Sequence, residues 1–69
     1  MARTRTEWIA AFATDLGVEA PDEATVDALL ELAGVAARAS ERTAAPVACW
    51  LAALAGLPPA EALARARTI

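Results

Sequence analysis

Side chains that make or break bonds are scarce in this chain of 69 residues. Neutral-pH acid–base catalysis usually recruits histidine, or a carboxylate or lysine whose pKa is shifted by burial. Histidine is absent, and all 6 cations are arginine. Cys49 has no histidine to act as its base, so a cysteine–histidine nucleophile is excluded. It sits beside Trp50 in an apolar stretch and reads as a buried structural thiol. One cysteine allows no internal disulfide, and one cysteine without histidine cannot complete the usual zinc set. Asp15, Glu19, Asp22, Glu23, Asp27 and Glu31 crowd together. They lack the loop motif of a calcium or magnesium site and read as a solvated acidic face. Gly17, Gly34 and Gly56 are too far apart for a phosphate-cradling loop. No catalytic residue, metal ligand or cofactor is expected, and the chain reads as a non-enzyme.

Two places are more promising. Arg38 and Arg42 are four residues apart and share a helix face if the helix persists. They lead into Thr43 and the start of a helix, whose free N–H groups attract anions. Arg38, Arg42 and Thr43 are therefore a candidate site for a phosphate or carboxylate. The competing reading pairs these arginines with Glu41, Glu31 or the carbonyl end of their own helix. The second place is surplus apolar surface. Trp8, Phe12 and Trp50 are large for so small a chain, and Leu32, Val35 and Cys49 spill beyond a single apolar stripe. They form either a tight core closed by alanines or a patch for another protein, with Trp8, Phe12, Trp50, Leu32 and Val35 as its residues.

The elements that position these residues are helical. Thr4 and Glu7 have capping-box spacing, with Thr6 as a rival cap, and Trp8, Ile9, Phe12 and Leu16 follow on one face. Gly17 stands where a left-handed residue would end the helix. This predicts a first helix over 5–16. Asp22 caps a second over 23–39, with Glu23 in its first turn and Arg38 near its end, both suiting the helix dipole. Gly34 inside it costs roughly 1 kcal/mol against alanine and suggests close approach of another helix. Pro46 suits the first turn of a third helix over 46–55, with Val47, Trp50, Leu51 and Leu54 inward and Gly56 ending it. Pro58 or Pro59 opens a fourth over 59–67, with Leu57, Leu63, Ala60 and Ala64 packing inward. The predicted core is Trp8, Ile9, Phe12, Leu16, Val26, Leu29, Leu30, Ala33, Val47, Trp50, Leu51, Leu54, Leu57 and Leu63. The expectation is a single all-α domain over 1–69, a compact bundle of about four short helices.

Composition agrees. Hydrophobic residues are 58% of the chain, alanine leads, and strand formers are scattered. Domains this small bury only about 60% of their unfolded surface and commonly need a staple or a partner. The net charge of −3 leaves no basic stripe for nucleic acid. A helix-turn-helix reading fails because the third helix offers no base-reading side chain. No apolar run reaches membrane-spanning length and no signal-type stretch follows the N-terminus, so a cytoplasmic location is expected.

Glu7-Trp8-Ile9-Ala10-Ala11-Phe12, Leu16-Gly17-Val18, Leu29-Leu30-Glu31-Leu32-Ala33, Val35-Ala36 and Arg42-Thr43-Ala44-Ala45-Pro46-Val47 with Leu51 together resemble a small actinobacterial helical domain of unknown function. That domain occurs fused to, or encoded beside, the molybdenum-cofactor guanylyltransferase. The resemblance runs from about Thr6 to Leu57, and Arg42-x-x-Ala45-Pro46 is its most specific piece. Ala37 stands where the family tends to carry histidine, and Ala52 where it tends to carry glycine. A histidine-dependent role therefore does not carry over. The resemblance implies an association with molybdenum-cofactor biosynthesis and no established activity. The expected function is a non-catalytic accessory or protein-interaction domain. The alternatives are a small-ligand binder at the start of the third helix and a structural homodimer.

Overall fold

The structure is a computed structural model that describes residues 3–69. Its described residues form four helices and no strand: α1 (Arg5–Leu16), α2 (Glu23–Ala39), α3 (Ala44–Leu54) and α4 (Pro59–Ala66). The chain is a small all-α domain.

Local signals account for most of the boundaries. The Thr4 N–H donates to Glu7 Oε1 at 2.8 Å, and the Glu7 N–H donates to Thr4 Oγ1 at 3.1 Å. This reciprocal capping box satisfies two donors at the start of α1. The Thr25 N–H donates to Asp22 Oδ1 at 2.8 Å and caps α2. Two helices end in the same way. Gly17 follows α1 with φ 74° and Gly56 follows α3 with φ 72°. The Val18 and Leu57 N–H groups reach back to the Ala13 and Ala52 carbonyls, closing a Schellman motif at each end.

α3 begins at Ala44, two residues before Pro46. The chain enters it through a turn in which the Ala44 and Ala45 N–H groups donate to the Glu41 and Arg42 carbonyls. The Arg42 carbonyl is the acceptor that a residue at position 46 would otherwise use. The missing N–H of Pro46 therefore costs no bond. Pro59 is the first residue of α4, and the Pro58 carbonyl accepts from Glu61 and Ala62.

α2 is the centre of the molecule. α3 and α4 both pack along it and touch each other only slightly, whereas no Cα of α1 lies within 8 Å of a Cα of another helix. The buried cluster is Leu32, Ala52 and Ala62, with Cys49, Leu57, Leu63 and Ala66 half-buried against it. On α1 only Ala13 is buried.

This core corrects the predicted one. Trp8, Phe12, Leu16, Leu30, Val47, Trp50, Leu51 and Leu54 are exposed. Leu32, expected to spill outward, is only 3% exposed and is the largest side chain at the centre. On α4 it is Ala62 and Ala66 that turn inward, while Ala60 and Ala64 face solvent. The physical reason is fit. Leu32 already projects from α2 into the space between helices. Alanines opposite it let the backbones approach to the usual 8–10 Å, which large side chains on both helices would prevent. Gly34 has a different reason from the one expected. A Cβ there would lie 2.9 Å from Arg38 Nη1, so its neighbour is an arginine of its own helix and not another helix.

Candidate functional site

α3 carries two unlike faces. Ala45, Ala48, Cys49 and Ala52 recur at helical spacing and turn inward; all four are buried or half-buried. Cys49 Sγ stands 3.8 Å from the Leu29 carbonyl, its weak donor directed at α2. The thiol, expected to be buried, is half-buried against the core. Val47, Trp50, Leu51 and Leu54 occupy the opposite face at i, i+3, i+4 and i+7, a continuous stripe along the helix. Trp50 is 66% exposed and Leu54 70%. The helix thus points its small side chains at the core and its large ones at water.

No charged residue occurs anywhere between Arg42 and Glu61. The exposed stripe therefore lacks the charges that ordinarily keep a surface helix solvated. Beside it, Val35, Ala39, Ala44, Val47, Leu51 and Ile69 line a shallow apolar trough of about 320 Å³ between α3, α2 and the C-terminal end. A second trough, floored by Leu32, Ala52, Ala62 and Ala66, continues past Leu51 toward Leu57. α3 and α4 meet only slightly beside α2, which leaves both troughs open.

Of the partner-surface residues read from the sequence, Trp8, Phe12 and Trp50 are exposed, Val35 is half-buried in the trough wall, and Leu32 is buried. Trp8 and Phe12 stack on α1, their ring centroids 5.1 Å apart. Arg5, Thr6, Ile9 and Ala10 face Pro21 and Val26 across a cleft of about 230 Å³. The sequence reading missed Val47, Leu51 and Leu54 as surface residues. The signal that finds them is the run of alanines at 45, 48 and 52 opposite, together with the long uncharged stretch.

Arg38, Arg42 and Thr43 make up the anion candidate. The guanidinium of Arg38 lies back over Gly34, a full turn upstream of the end of α2. Thr43 precedes α3 but makes no side-chain capping bond, and its hydroxyl donates to Glu41 Oε2 at 3.3 Å. A carboxylate of the chain itself thus stands beside that helix end. Arg42 is exposed and makes no ion pair among the described residues. Glu31, a candidate partner for these arginines, accepts from Arg67, which follows α4, at 2.7 Å.

Among the described residues no three of His, Cys, Asp and Glu gather closely enough to hold a metal ion. No helix among them is long and apolar enough to cross a membrane. No curated protein and no solved structure matches the chain. The model of one family, a domain of unknown function designated DUF6457, matches residues 2–68, and the chain belongs to that family.

Proposed function

We propose that this domain is a non-catalytic interaction module whose docking element is the outer face of α3. The observation that carries this reading is the stripe of Val47, Trp50, Leu51 and Leu54 facing water on a helix without charge. A contiguous exposed apolar patch marks an interaction site, and tryptophan is enriched among the residues that anchor interfaces. The absence of histidine and lysine supports a role without chemistry of its own.

The sequence resemblance adds a candidate partner, the molybdenum-cofactor guanylyltransferase, and with it a role in maturing that cofactor. Titration of the purified enzyme with the wild-type chain and with Trp50→Ala, followed by calorimetry, tests both parts. The expected result is binding that weakens at least ~30-fold in the variant, the size of a hot-spot loss. Absence of binding by either chain ends the cofactor link. Equal binding by both moves the docking element off α3.

A further inference from the structure

We infer that the outer face of α3 is self-complementary and pairs two copies of this chain, antiparallel, about a twofold axis near Trp50 and Leu51. This deepens the interaction reading above by naming the occupant of its docking face.

Area gives the first argument. A compact monomer of 7.1 kDa exposes about 4,100 Å² by the usual scaling with mass. This chain exposes 5334 Å². The surplus, roughly 1,200 Å² per chain, exceeds the ~800 Å² that each partner contributes to a standard interface. The exposed α3 stripe and the troughs beside it belong to that surplus, as does the α1 face of Trp8, Phe12 and Leu16.

Charge and dipole give the second. The stretch between Arg42 and Glu61 has nothing to repel itself and nothing to select an oppositely charged stranger. α3 has no acidic residue in its first turn and no basic residue in its last. The last turn therefore has no cation of its own, and an antiparallel neighbour brings the positive N-terminal end of a second α3 to it. That orientation also brings exposed Arg42, just ahead of α3, to the end of the neighbouring helix that leads toward Glu61.

Register gives the third. In an antiparallel pair centred between residues 50 and 51, Val47 lies opposite Leu54 of the second copy. Trp50 and Leu51 meet their own counterparts at the axis. Every large residue of the stripe then has an apolar partner, which is the condition for an isologous contact. Spacing of i, i+3, i+4 and i+7 is that of a two-helix seam.

Sedimentation of the full chain over a range of concentrations tests the inference. The expected result is a species of twice 7.1 kDa at high concentration, giving way to the single chain on dilution. Trp50→Glu and Leu54→Glu are each expected to weaken pairing at least ~30-fold while the helical circular dichroism is kept, because both side chains are already exposed in the single chain. Cys49→Ser/Leu51→Cys is expected to form a covalent dimer in a glutathione buffer far faster than Cys49→Ser/Thr14→Cys. A chain that remains single at every concentration overturns the inference, and so does a dimer unmoved by both glutamates. If the glutamate variants lose their helices, the cysteine pair decides, and equal crosslinking at positions 51 and 14 overturns it. A single chain that still binds the guanylyltransferase through Trp50 refutes the second copy and leaves the interaction reading intact. A dimer that binds no enzyme keeps the second copy and ends only the cofactor link.

Discussion

α1 and α3 differ by one residue in length, 12 against 11, and both turn large apolar side chains to solvent, yet they are held by opposite means. α1 has a reciprocal capping box at its start and a left-handed glycine at its end. It sits outside close packing distance of the other helices. An isolated helix of that length is marginal in water, so its caps supply what packing does not. α3 has no side-chain cap at its start, and it packs along α2 through a face of alanines. Both end on a left-handed glycine, but α1 is held by its caps alone while α3 leans on the helix beneath it.

The sharpest way to break that contrast is at Leu32. It is the largest buried side chain of the α2–α3–α4 body. Leu32→Ala is expected to destabilise the body by about 2–5 kcal/mol, the range for emptying a leucine site in a packed core. Urea unfolding followed by circular dichroism measures it. The α1 cap bonds should persist in the same variant, as seen in the amide signals of Thr4 and Glu7. A loss below ~1 kcal/mol would show that the body is not centred on Leu32.

Gly17 and Gly56 sharpen the comparison because they present the same backbone problem in the two helices. Both have positive φ, and an added Cβ at either would meet nothing within 4 Å. The cost of Gly17→Ala and of Gly56→Ala is therefore that of the left-handed conformation alone, about 1–2 kcal/mol. After Gly56 comes Leu57, half-buried against the core, so Gly56→Ala should lower the unfolding midpoint of the whole domain. After Gly17 comes exposed Val18, so Gly17→Ala should chiefly speed amide exchange in α1. Equal global effects from the two would mean that α1 is coupled to the body after all.

The same division explains what was legible in the sequence. Thr4, Glu7, Gly17, Asp22, Gly56 and the Pro58–Pro59 pair act on neighbours a few residues away, and each marks a helix end where the structure has one. Facing was not legible in the same way. A helix apolar on all sides has no preferred stripe to read, and α3 is such a helix. Burial of Trp50 or Leu54 gains more than burial of alanine, which by itself favours turning the large residues inward. That preference fails because Leu32 of α2 takes the interior volume first, a fact that depends on two helices and lies in neither alone. Arg38 of the anion candidate shows the same limit. Helical spacing gives the rows that Arg38 and Arg42 share, but not that Arg38 turns back over Gly34.

That turn has a smaller measurable consequence. Gly34 is an interior helix residue, and the atom its Cβ would crowd, at 2.9 Å, is the end of a flexible arginine. Arg38 can swing away at little cost. Gly34→Ala is therefore expected to stabilise α2, and with it the body, by about 0.5–1 kcal/mol from helix propensity. Thermal unfolding checks the sign. Destabilisation instead would mean that Arg38 holds a fixed place over the glycine, which would revive interest in its guanidinium as part of a site.

The smallest effect expected is the dependence of the caps on acid. The Thr4 backbone N–H, and next its side chain, hold the Glu7 carboxyl below the ordinary glutamate range. The side chain of Thr25, and then its backbone, hold Asp22 below the ordinary aspartate range. The unfolded chain titrates these groups near their reference values, about 4.3 and about 3.9. Because the folded values are depressed, the caps contribute fully above the unfolded values, and their contribution is lost as pH falls through the folded ones. Both carboxylates are exposed, so solvent and salt screen the effect. α3 has no carboxylate cap to lose. Amide exchange followed from about pH 6 to about pH 3, corrected for its intrinsic rate, should therefore show protection falling at Thr4 and Thr25, whose N–H groups donate to the two carboxylates, while Ala45 holds. If Ala45 loses protection in step with them, the start of α3 depends on a titrating group, and the distinction between end-specified and packing-specified helices fails there.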